Sequence, residues 1–311
     1  MKYQVAQYSL RGGRPANEDR VGVAERDNAA LMILADGLGG HSGGALAAEA
    51  LVQTLLHAFQ SVRQTVITNP SAFLALGIVQ AHKAIVRLGR SHNPPLEPRT
   101  TCVACLVQNG YAYWAHVGDS RLYHFRNGRV IERTQDHSAI EQLRHDGVIS
   151  EEEMAEHPQK GRLLKCVGGP HEPSISLGRE TLLNRGDVLL LCSDGLWEAL
   201  PPEELGRYLR RDSLEEDIEE MLHAAETRMG RGCDNVSAVG LRWEDQVSAS
   251  PPLQGDAPAQ VDQQTLREGA ARGTVLKQRG KKKPRADKER HETLDSGIKE
   301  LEEYLKRFEP K

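Results

Sequence analysis

The chain contains 311 residues, of which 39% are apolar and 27% are charged, the balance of an ordinary globular protein. Its net charge of −4 gives no reason to expect DNA binding or attraction to an acidic membrane. The first residues lack an apolar signal segment, and no apolar run approaches the ~18–20 residues that span a bilayer. The five cysteines, an odd number, argue against a disulfide framework. We therefore expect a soluble, cytoplasmic protein without a transmembrane segment.

Short apolar runs separated by tight turns predict a protein built largely from β-strands. Asn109-Gly110 and Asn127-Gly128 are strong signals for two-residue hairpin turns. Hairpins between neighbouring strands favour antiparallel sheets over a doubly wound parallel sheet. The predicted strands are Tyr3–Ser9, Ala30–Ala35, Thr101–Val107, Tyr111–Val117, Arg121–Arg126, Asp187–Ser193 and Val236–Trp243.

Three segments with apolar residues at helical spacing predict helices: Gly44–Phe59, Ser71–Leu88 and Leu214–Met229. The last begins after Asp212 and Ser213, which are good N-cap residues, and has acidic residues in its first turn. Strands joined by hairpins, together with these helices, predict an α+β fold with helices packed outside antiparallel sheets.

The globular pattern ends near Trp243, so we expect one folded domain over residues 1–244. Residues 245–290 are rich in Gln, Ala, Pro, Gly and charge, which predicts a disordered basic linker. Within it, Arg272–His291 contains nine Lys or Arg and two acidic residues. Residues 291–311 have apolar residues at alternating spacings of four and three, which predicts an amphipathic helix or a short coiled-coil seam. Those residues are Leu294, Ile298, Leu301, Leu305 and Phe308.

Cys102 and Cys105 form a C-x-x-C pattern within the predicted strand Thr101–Val107. Residues three apart on a strand point to opposite faces, so the two thiols cannot share a metal ion. We interpret them as small buried apolar residues. No other Cys or His cluster has the spacing of a zinc site.

Carboxylates stand at the ends of four predicted strands. Asp36 and Asp194 each end an apolar strand, Asp119 follows another, and Asp234-Asn235 precedes a fourth. Carboxylates crowded at one end of a sheet repel each other unless cations neutralise them. Mg²⁺ and Mn²⁺ are the natural partners of such oxygen ligands. A single Asp in a turn is unremarkable, so the prediction of a metal site depends on the whole set.

Two loops contain further candidate residues. The segment Asp36–Gly44 contains five glycines and leads into a predicted helix, so its backbone can approach a ligand closely and the helix N-terminus favours an anion. The segment Arg14–Asp19 carries the acidic pair Glu18-Asp19 and an arginine whose planar fork can hold a phosphate. A plain strand–turn–helix connection and a solvated acidic turn are the alternatives.

Together these motifs resemble those of the metal-dependent protein phosphatases, the PPM or PP2C-like family, and especially its compact bacterial members. The resemblance covers residues 3–243. Each motif is weak alone, but the set in the family's order is specific. The motifs are Arg14–Asp19, Asp36–His41, Thr100-Thr101, Val117–Arg121, Ser193–Gly195 and Asp234-Asn235.

The resemblance implies a four-layer αββα sandwich, with a central antiparallel β-sandwich flanked by helices. It also implies two divalent cations, Mn²⁺ or Mg²⁺, and a third, weaker one in bacterial members. Asp36 would bridge the first two cations, Gly37 would bind through its carbonyl oxygen, and Asp119 with Asp194 would hold the third. The implied metal ligands are Asp36, Gly37, Asp194, Asp234, Asp119, Glu18 and Asp19.

The implied catalytic residues are Asp36, Arg14 and His41. Arg14 resembles the phosphate-binding arginine of the family, and Asn235 and Thr101 would support the metal ligands. His41 lies five residues after Asp36, as in bacterial members, and a histidine near its neutral pKa is suited to protonate a serine or threonine leaving group. A histidine that caps the following helix or binds substrate is the alternative.

The implied function is a phosphoprotein phosphatase that hydrolyses phosphoserine and phosphothreonine by direct attack of a hydroxide bridging two cations. It would oppose a bacterial serine/threonine kinase. No Cys-x5-Arg signature occurs, which excludes a cysteine-based tyrosine phosphatase. The alternative from another class is a pseudophosphatase that binds phosphoproteins as a scaffold, with the C-terminal region as its interaction module.

Two segments allow more than one interpretation. His137–Gly169 resembles the family's flap, a variable element beside the active site, or it is an ordinary surface excursion. The basic segment and the terminal helix would bind an acidic protein, anionic lipid or nucleic acid, or they remain solvated. No DNA contact is expected for the catalytic domain.

Overall fold

The computed structural model describes residues 1–39, 42–150 and 163–245, together with Glu153, His157 and Pro158. The predicted linker beyond residue 245, the predicted helix over residues 291–311, the candidate acid His41 and part of the predicted flap lie outside these residues.

Most strands of the described residues form two antiparallel sheets. The strands are β1 (Tyr3–Leu10), β2 (Arg20–Arg26), β3 (Ala29–Ala35), β4 (Gly37–Leu38), β5 (Arg99–Thr100), β6 (Cys102–Gln108), β7 (Tyr111–Val117), β8 (Arg121–Arg126), β9 (Arg129–Arg133), β10 (Val167–Gly168), β11 (Ser176–Leu177), β12 (Thr181–Leu182), β13 (Val188–Cys192) and β14 (Val236–Trp243). The first sheet has the order β1-β14-β13-β8-β9. The second has the order β11-β7-β6-β3-β2, with β12 also paired to β7. A small third sheet has the order β10-β5-β4.

Helices pack against the outer faces of the two large sheets, and further short helices lie in the connections between strands. They are α1 (Ser42–Ser61), α2 (Pro70–Ser91), α3 (Ala139–His145), α4 (Asp194–Trp197), α5 (Pro202–Tyr208) and α6 (Leu214–Met229), with a 3₁₀ turn at Gly230–Gly232. Helices α1 and α2 contact the second sheet, whereas α5 and α6 contact the first.

Three apolar clusters separate four layers. The first lies between α1, α2 and the second sheet, the next between the two sheets, and the third between the first sheet and α5 and α6. Strand β3 serves two of these clusters, since Leu31 and Ile33 face the helices while Met32 and Leu34 face the other sheet. Burial on both faces explains why β3 is apolar at every position. The predicted αββα sandwich is confirmed.

The structure contains the predicted hairpins and the three predicted helices. Asn109 and Gly110 have φ values of 53° and 83°, and Asn127 and Gly128 have 52° and 69°, as two-residue hairpin turns require. Ser213 caps α6, because its Oγ accepts a hydrogen bond from Glu216 N at 3.3 Å.

Several short or half-exposed elements were not predicted from the sequence, and β2 is the most informative of them. This edge strand mixes charged and apolar residues because one of its faces is only half buried. Gly22 interrupts its apolar pattern because α1 packs there: a Cβ on Gly22 would lie 2.6 Å from Val52 Cγ1. Strand β9 was missed for a similar reason, since it forms the exposed edge of the first sheet.

The two cysteines of the C-x-x-C pattern lie in different layers, as predicted. Cys102 belongs to the cluster beneath α1 and α2, and Cys105 belongs to the cluster between the sheets. Both thiols are free and fully buried, and burial raises the pKa of each far above its usual range. They are therefore core residues.

Helix α2 is long and apolar enough to cross a membrane by length and composition alone, which the sequence analysis did not anticipate. Its residues Leu74, Ile78 and Ile85 are completely buried in the cluster between α1, α2 and the second sheet. Each such side chain contributes ~1.5–3 kcal/mol by leaving water. We therefore assign α2 as a core helix.

Candidate metal centre

The second sheet brings two carboxylates to one edge of the β-sandwich. Ala35, the last residue of β3, pairs with Arg20, the first residue of β2. Asp36 follows Ala35 in the chain and Asp19 precedes Arg20. The antiparallel register therefore sets Asp19 beside Asp36 although they belong to different strands.

The first sheet brings three more carboxylates to the same edge. Cys192, the last residue of β13, pairs with Arg121 at the start of β8 and with Ala238 near the start of β14. The connections next to these pairs carry Asp119, Asp194 and Asp234.

Asp36 lies at the centre of this group. Burial raises its pKa well above the ordinary range, and the charges of Asp19, Asp194, Asp119 and Asp234 raise it further. Burial likewise raises the pKa of Asp194, with Asp119 and Asp234 as its strongest charged neighbours. Each carboxylate thus disfavours the charge of the next, which identifies the set as one electrostatic unit.

Asp19 is nearly inaccessible to solvent, and burial raises its pKa to about 6. Ser237 and Ser193 oppose this effect by favouring the charged form. Ser193 Oγ donates a hydrogen bond to Asp19 Oδ2 at 2.8 Å, whereas Ser237 Oγ is near the carboxylate without a well-formed bond. Among the described residues, Asp19 Oδ1 has no hydrogen-bond partner despite its burial.

Asp119 is held in the turn between β7 and β8. Burial raises its pKa to about 7, Asp136 raises it further, and Arg121 opposes the shift. Trp197 Nε1 donates to the carbonyl oxygen of Asp119 at 3.0 Å, and the guanidinium of Arg121 lies 3.5 Å from the centre of the Trp197 ring. This cation–π contact connects the turn to α4.

Two threonines hold the backbone of Asp36. Its N–H donates to Thr101 Oγ1 at 3.0 Å, and its carbonyl accepts from Thr101 N at 2.9 Å and Thr100 Oγ1 at 2.8 Å. Because Thr101 Oγ1 accepts from Asp36, its own proton is available for Ser120 Oγ at 2.7 Å. Both backbone groups of Asp36 are therefore anchored to β5 and to the residue that follows it.

Gly37 occupies a position where no side chain fits. A Cβ there would lie 2.5 Å from the carbonyl carbon of Gly44 and 2.9 Å from the carbonyl oxygen of Glu18. A Cβ on Gly44 would in turn collide with Glu18 Oε2. The carboxylate of Glu18 thus lies at the first turn of α1, where the helix dipole favours a negative charge.

Asn235 organises the loop that carries Arg14 and Glu18. Its Oδ1 accepts from Glu18 N at 2.8 Å, and its Nδ2 donates to the carbonyl oxygens of Arg11 at 2.7 Å and Ala16 at 2.9 Å. Its backbone N–H donates to Asp234 Oδ1 at 2.8 Å. Asn235, predicted to support the metal ligands, thus binds the loop through its side chain and reaches Asp234 only through its backbone.

Arg14 and Asp234 form the solvent-facing side of the centre. Arg14 Nη2 donates to Asp234 Oδ2 at 2.6 Å, and the two side chains are 56% and 37% exposed. Asp234 raises the pKa of Arg14 most, and the charges of Asp194 and Asp36 add to the effect. Arg14 therefore lies within electrostatic reach of the buried carboxylates.

The donor set fits hard divalent cations. The side chains described above offer carboxylate oxygens without imidazole or thiolate, and Asp19 Oδ1 is a buried oxygen without a partner. In the part of the chain that the structure describes, no three His, Cys, Asp or Glu side chains are arranged to hold a metal ion by themselves. Mg²⁺ usually binds one or two carboxylates and keeps several waters, so this wider spacing suits a partly hydrated cation.

The structure thus brings together the carboxylates that the sequence singled out, with Glu18, Gly37, Arg14 and Thr101 beside them. Their individual roles stay predictions. Sequence reasoning gave no role to Ser193 or Trp197, which bind Asp19 and the Asp119 backbone, respectively. Ser193 directly precedes Asp194 in a quoted motif, but its partner lies 174 residues away. No local sequence pattern indicates a contact between residues so far apart in the chain.

Comparison with known proteins agrees with this fold and site. The family model described as Protein phosphatase 2C matches residues 8–231. The serine/threonine phosphatase Stp of Listeria welshimeri is 32% identical over 232 residues, which are 73% of this chain and 90% of that protein.

Two solved structures share the fold. The serine/threonine phosphatase of S. agalactiae superposes with a TM-score of 0.72 at 29% identity, covering 78% of this chain and all of that one. The catalytic domain of the phosphatase PstP, in complex with two manganese ions, has a TM-score of 0.65 at 30% identity and covers 78% and 99% of the two chains.

An αββα sandwich with clustered carboxylates at one edge defines a metal-dependent protein phosphatase. The chain belongs to the protein phosphatase 2C family. Asp36, Asp119, Asp194 and Asp234 are all present and converge, so the pseudophosphatase alternative has no support.

Proposed function

We propose that the chain dephosphorylates phosphoserine and phosphothreonine in proteins at the edge of the sandwich that carries Asp36. The observation that supports this most strongly is the convergence of five carboxylates from distant strands. Burial raises the pKa values of Asp36 and Asp194, and repulsion from the other carboxylates raises them further. Such a site is stable with its carboxylates charged only when cations are bound.

The cations in this proposal are two Mn²⁺ or Mg²⁺ ions, with a weaker third. Asp36 would bind the first two, and Asp119 with Asp194 would bind the third. When bound, the ions supply a nucleophile at neutral pH and neutralise charge that develops on the phosphoryl oxygens. The complete ligand set is Asp36, the Gly37 carbonyl, Asp194, Asp234, Asp119, Glu18 and Asp19.

Arg14 binds the phosphate in this proposal. Its guanidinium has five N–H donors, of which Nη2 donates to Asp234. The remaining donors suit two phosphate oxygens, and the ion pair with Asp234 fixes the plane of the fork. His41 protonates the departing serine or threonine oxygen, a role that rests on motif position alone.

The phosphoprotein segment lies in a groove beside the centre. A cavity of about 650 Å³ opens next to Leu38, which directly follows Gly37 in the chain. The residues that line it also include Leu164 and Lys165 of the predicted flap and Arg99 on β5. This mixture of apolar and charged groups suits an extended peptide.

The proposal also covers the opposing kinase, the cellular location and the extent of the catalytic domain. The enzyme opposes a serine/threonine kinase and works in the cytoplasm. Its relatives, which are named phosphatases, support phosphoproteins as substrates. Its catalytic domain comprises residues 1–244.

The basic region over residues 245–290 and the segment over residues 291–311 serve as an interaction module for a protein partner. Localisation and binding profiles of the full chain and of a chain ending at Asp245 test that module.

The proposed activity is tested by hydrolysis of p-nitrophenyl phosphate and of a phosphothreonine peptide in Mn²⁺. Asp36→Asn should lower kcat by at least about 100-fold, since it removes the charge shared by two cations. Asp27→Asn, in the exposed turn between β2 and β3, is the control and should leave kcat unchanged. Hydrolysis that persists in Asp36→Asn, or that needs no divalent cation, would contradict the proposal.

A further inference from the structure

A closed ring of hydrogen bonds surrounds Asp19. Its N–H donates to Asn17 Oδ1 at 3.0 Å, Asn17 Nδ2 donates to Ser9 Oγ at 2.8 Å, and Ser9 Oγ lies 2.7 Å from Ser237 Oγ. Ser237 N donates to Ser193 Oγ at 3.0 Å, and Ser193 Oγ lies 2.8 Å from Asp19 Oδ2. The ring joins the ends of β1 and β13, the start of β14 and the loop before β2.

The ring determines the direction of the Ser193 hydroxyl. The N–H of Ser237 can only donate, so Ser193 Oγ accepts there and its own proton needs another acceptor. Asp19 Oδ2 at 2.8 Å is nearer than the carbonyl oxygen of Asn235 at 3.4 Å. The carboxylate is also the stronger acceptor because it is charged. Ser193 therefore presents a directed donor to one oxygen of Asp19.

The hydrogen bond from Ser193 Oγ to Asp19 Oδ2 is shielded from water by burial. Ser193 is completely buried and Asp19 is 2% exposed, so bulk water does not compete for either group. With Oδ2 held by Ser193, the plane of the carboxylate is restrained. Its second oxygen, Oδ1, has no hydrogen-bond partner among the described residues.

We propose that Ser193 is a positioning residue, which fixes the carboxylate of Asp19 and keeps Oδ1 available to the cations. This inference rests on the proposed function, where Asp19 is among the cation ligands. Ser193 touches neither substrate nor cation in this scheme and acts only through Asp19. Partners that orient a metal ligand typically change metal affinity by about 10–100-fold when removed.

The test is the Kd for Mn²⁺, measured by isothermal titration calorimetry on the metal-stripped full chain. Ser193→Ala should raise this Kd by about 10-fold or more. Asp19→Asn should raise it as well, and adding Ser193→Ala to Asp19→Asn should change it by less than about twofold, because both changes remove the same interaction. Ser193→Cys keeps nearly the same shape, but its thiol is a weak hydrogen-bond donor. It should therefore also raise the Kd for Mn²⁺, and it provides the measurement if Ser193→Ala does not fold.

Thr54→Val is the matched control. Thr54 Oγ1 is a buried hydroxyl that donates to Ala50 O within α1. Its loss should lower stability in urea without changing the Kd for Mn²⁺. Circular dichroism of every variant checks that the fold is intact.

Two results would overturn the inference. One is a Kd for Ser193→Ala and Ser193→Cys within twofold of the parent chain. The other is an equal rise in Kd with and without Asp19→Asn, which would indicate a general structural role. A parent chain that binds no Mn²⁺ would instead refute the proposed function itself, and the inference with it.

Discussion

Asp19 and Asp119 are buried and Asp36 and Asp194 are half-buried beside one another, although each charge would be better solvated apart. Burial raises the pKa of each, and repulsion from neighbouring carboxylates adds to this effect, so the set contributes unfavourably to folding when it is charged. The surrounding threonines, serines and Asn235 hold the backbone and loops in place against this repulsion. Function, rather than stability, accounts for such an arrangement.

Arg14 tests the role of geometry at a single residue. Arg14→Lys keeps the charge but loses the planar fork, so we expect KM for a phosphothreonine peptide to rise about 10-fold with a smaller change in kcat. Steady-state kinetics with saturating Mn²⁺ measure both. Arg26→Lys on β2, which donates to Gln64 O on the surface, is the control. An unchanged KM would show that Arg14 does not bind phosphate.

At the scale of elements, the turn between β7 and β8 connects the metal centre to the predicted flap. Gly118 N donates to His137 Nδ1 at 3.3 Å, and Gly118 O accepts from His137 N at 2.8 Å. The ring of His137 stacks on that of His116 with centroids 4.6 Å apart. Burial lowers the pKa of His137 to about 3, and His116 lowers it further, so the ring stays neutral and its Nδ1 can accept.

The backbone conformation of this turn requires glycine at position 118. Its φ is 109°, and a Cβ would lie 2.7 Å from Thr101 Cγ2. We expect Gly118→Ala to lower the free energy of unfolding by about 3 kcal/mol or more, through backbone strain and overpacking together.

Gly186→Ala separates the two causes. Gly186 has a φ of 88° but nothing within 4 Å of its Cβ position, so this change should cost only about 1–2 kcal/mol. Urea unfolding of both variants gives the comparison. Equal losses would mean that the contact with Thr101 is unimportant.

At the scale of the whole molecule, the raised pKa values make the stability of the metal-free chain depend on pH. Asp119 has a folded pKa of about 7, above its value of 3.8 in the unfolded chain. Its protonated form contributes stability at low pH, and that contribution disappears as pH rises through about 7. The lowered pKa values of the buried histidines His137 and His116 have the opposite effect. They reduce the stability of the folded chain as pH falls below ~6.5.

Asp119→Asn isolates the carboxylate, because the histidines are the same in both chains. In the absence of divalent ions we expect this variant to raise Tm by about 4 °C or more at pH 8.5 and by close to zero at about pH 3, below the unfolded pKa of 3.8. Saturating Mg²⁺ should reduce or reverse the gain at pH 8.5, since the cation neutralises the carboxylate. Calorimetry at the two pH values measures this, and a gain of equal size at both would contradict the electrostatic explanation.

Features that depend on neighbouring residues were predictable from the sequence. The Asn-Gly turns adopt left-handed backbone angles, Ser213 caps α6, and the apolar strands lead to carboxylates. The carboxylate motifs occur in an order that resembles one family. Edge elements such as β2 and β9 escaped prediction because half-exposed strands carry mixed residues, and their partners determine them more than their own pattern does.

The main helices and long apolar strands, the family and the candidate carboxylates therefore followed from the sequence alone, because they depend on local conformational preference and on motif order. Only the tertiary structure decided which groups meet. Ser193 reaches Asp19 across 174 residues of chain, and Asn235 binds a loop more than two hundred residues before it. The raised pKa values likewise arise from burial and from charges on other strands, which the fold alone brings together.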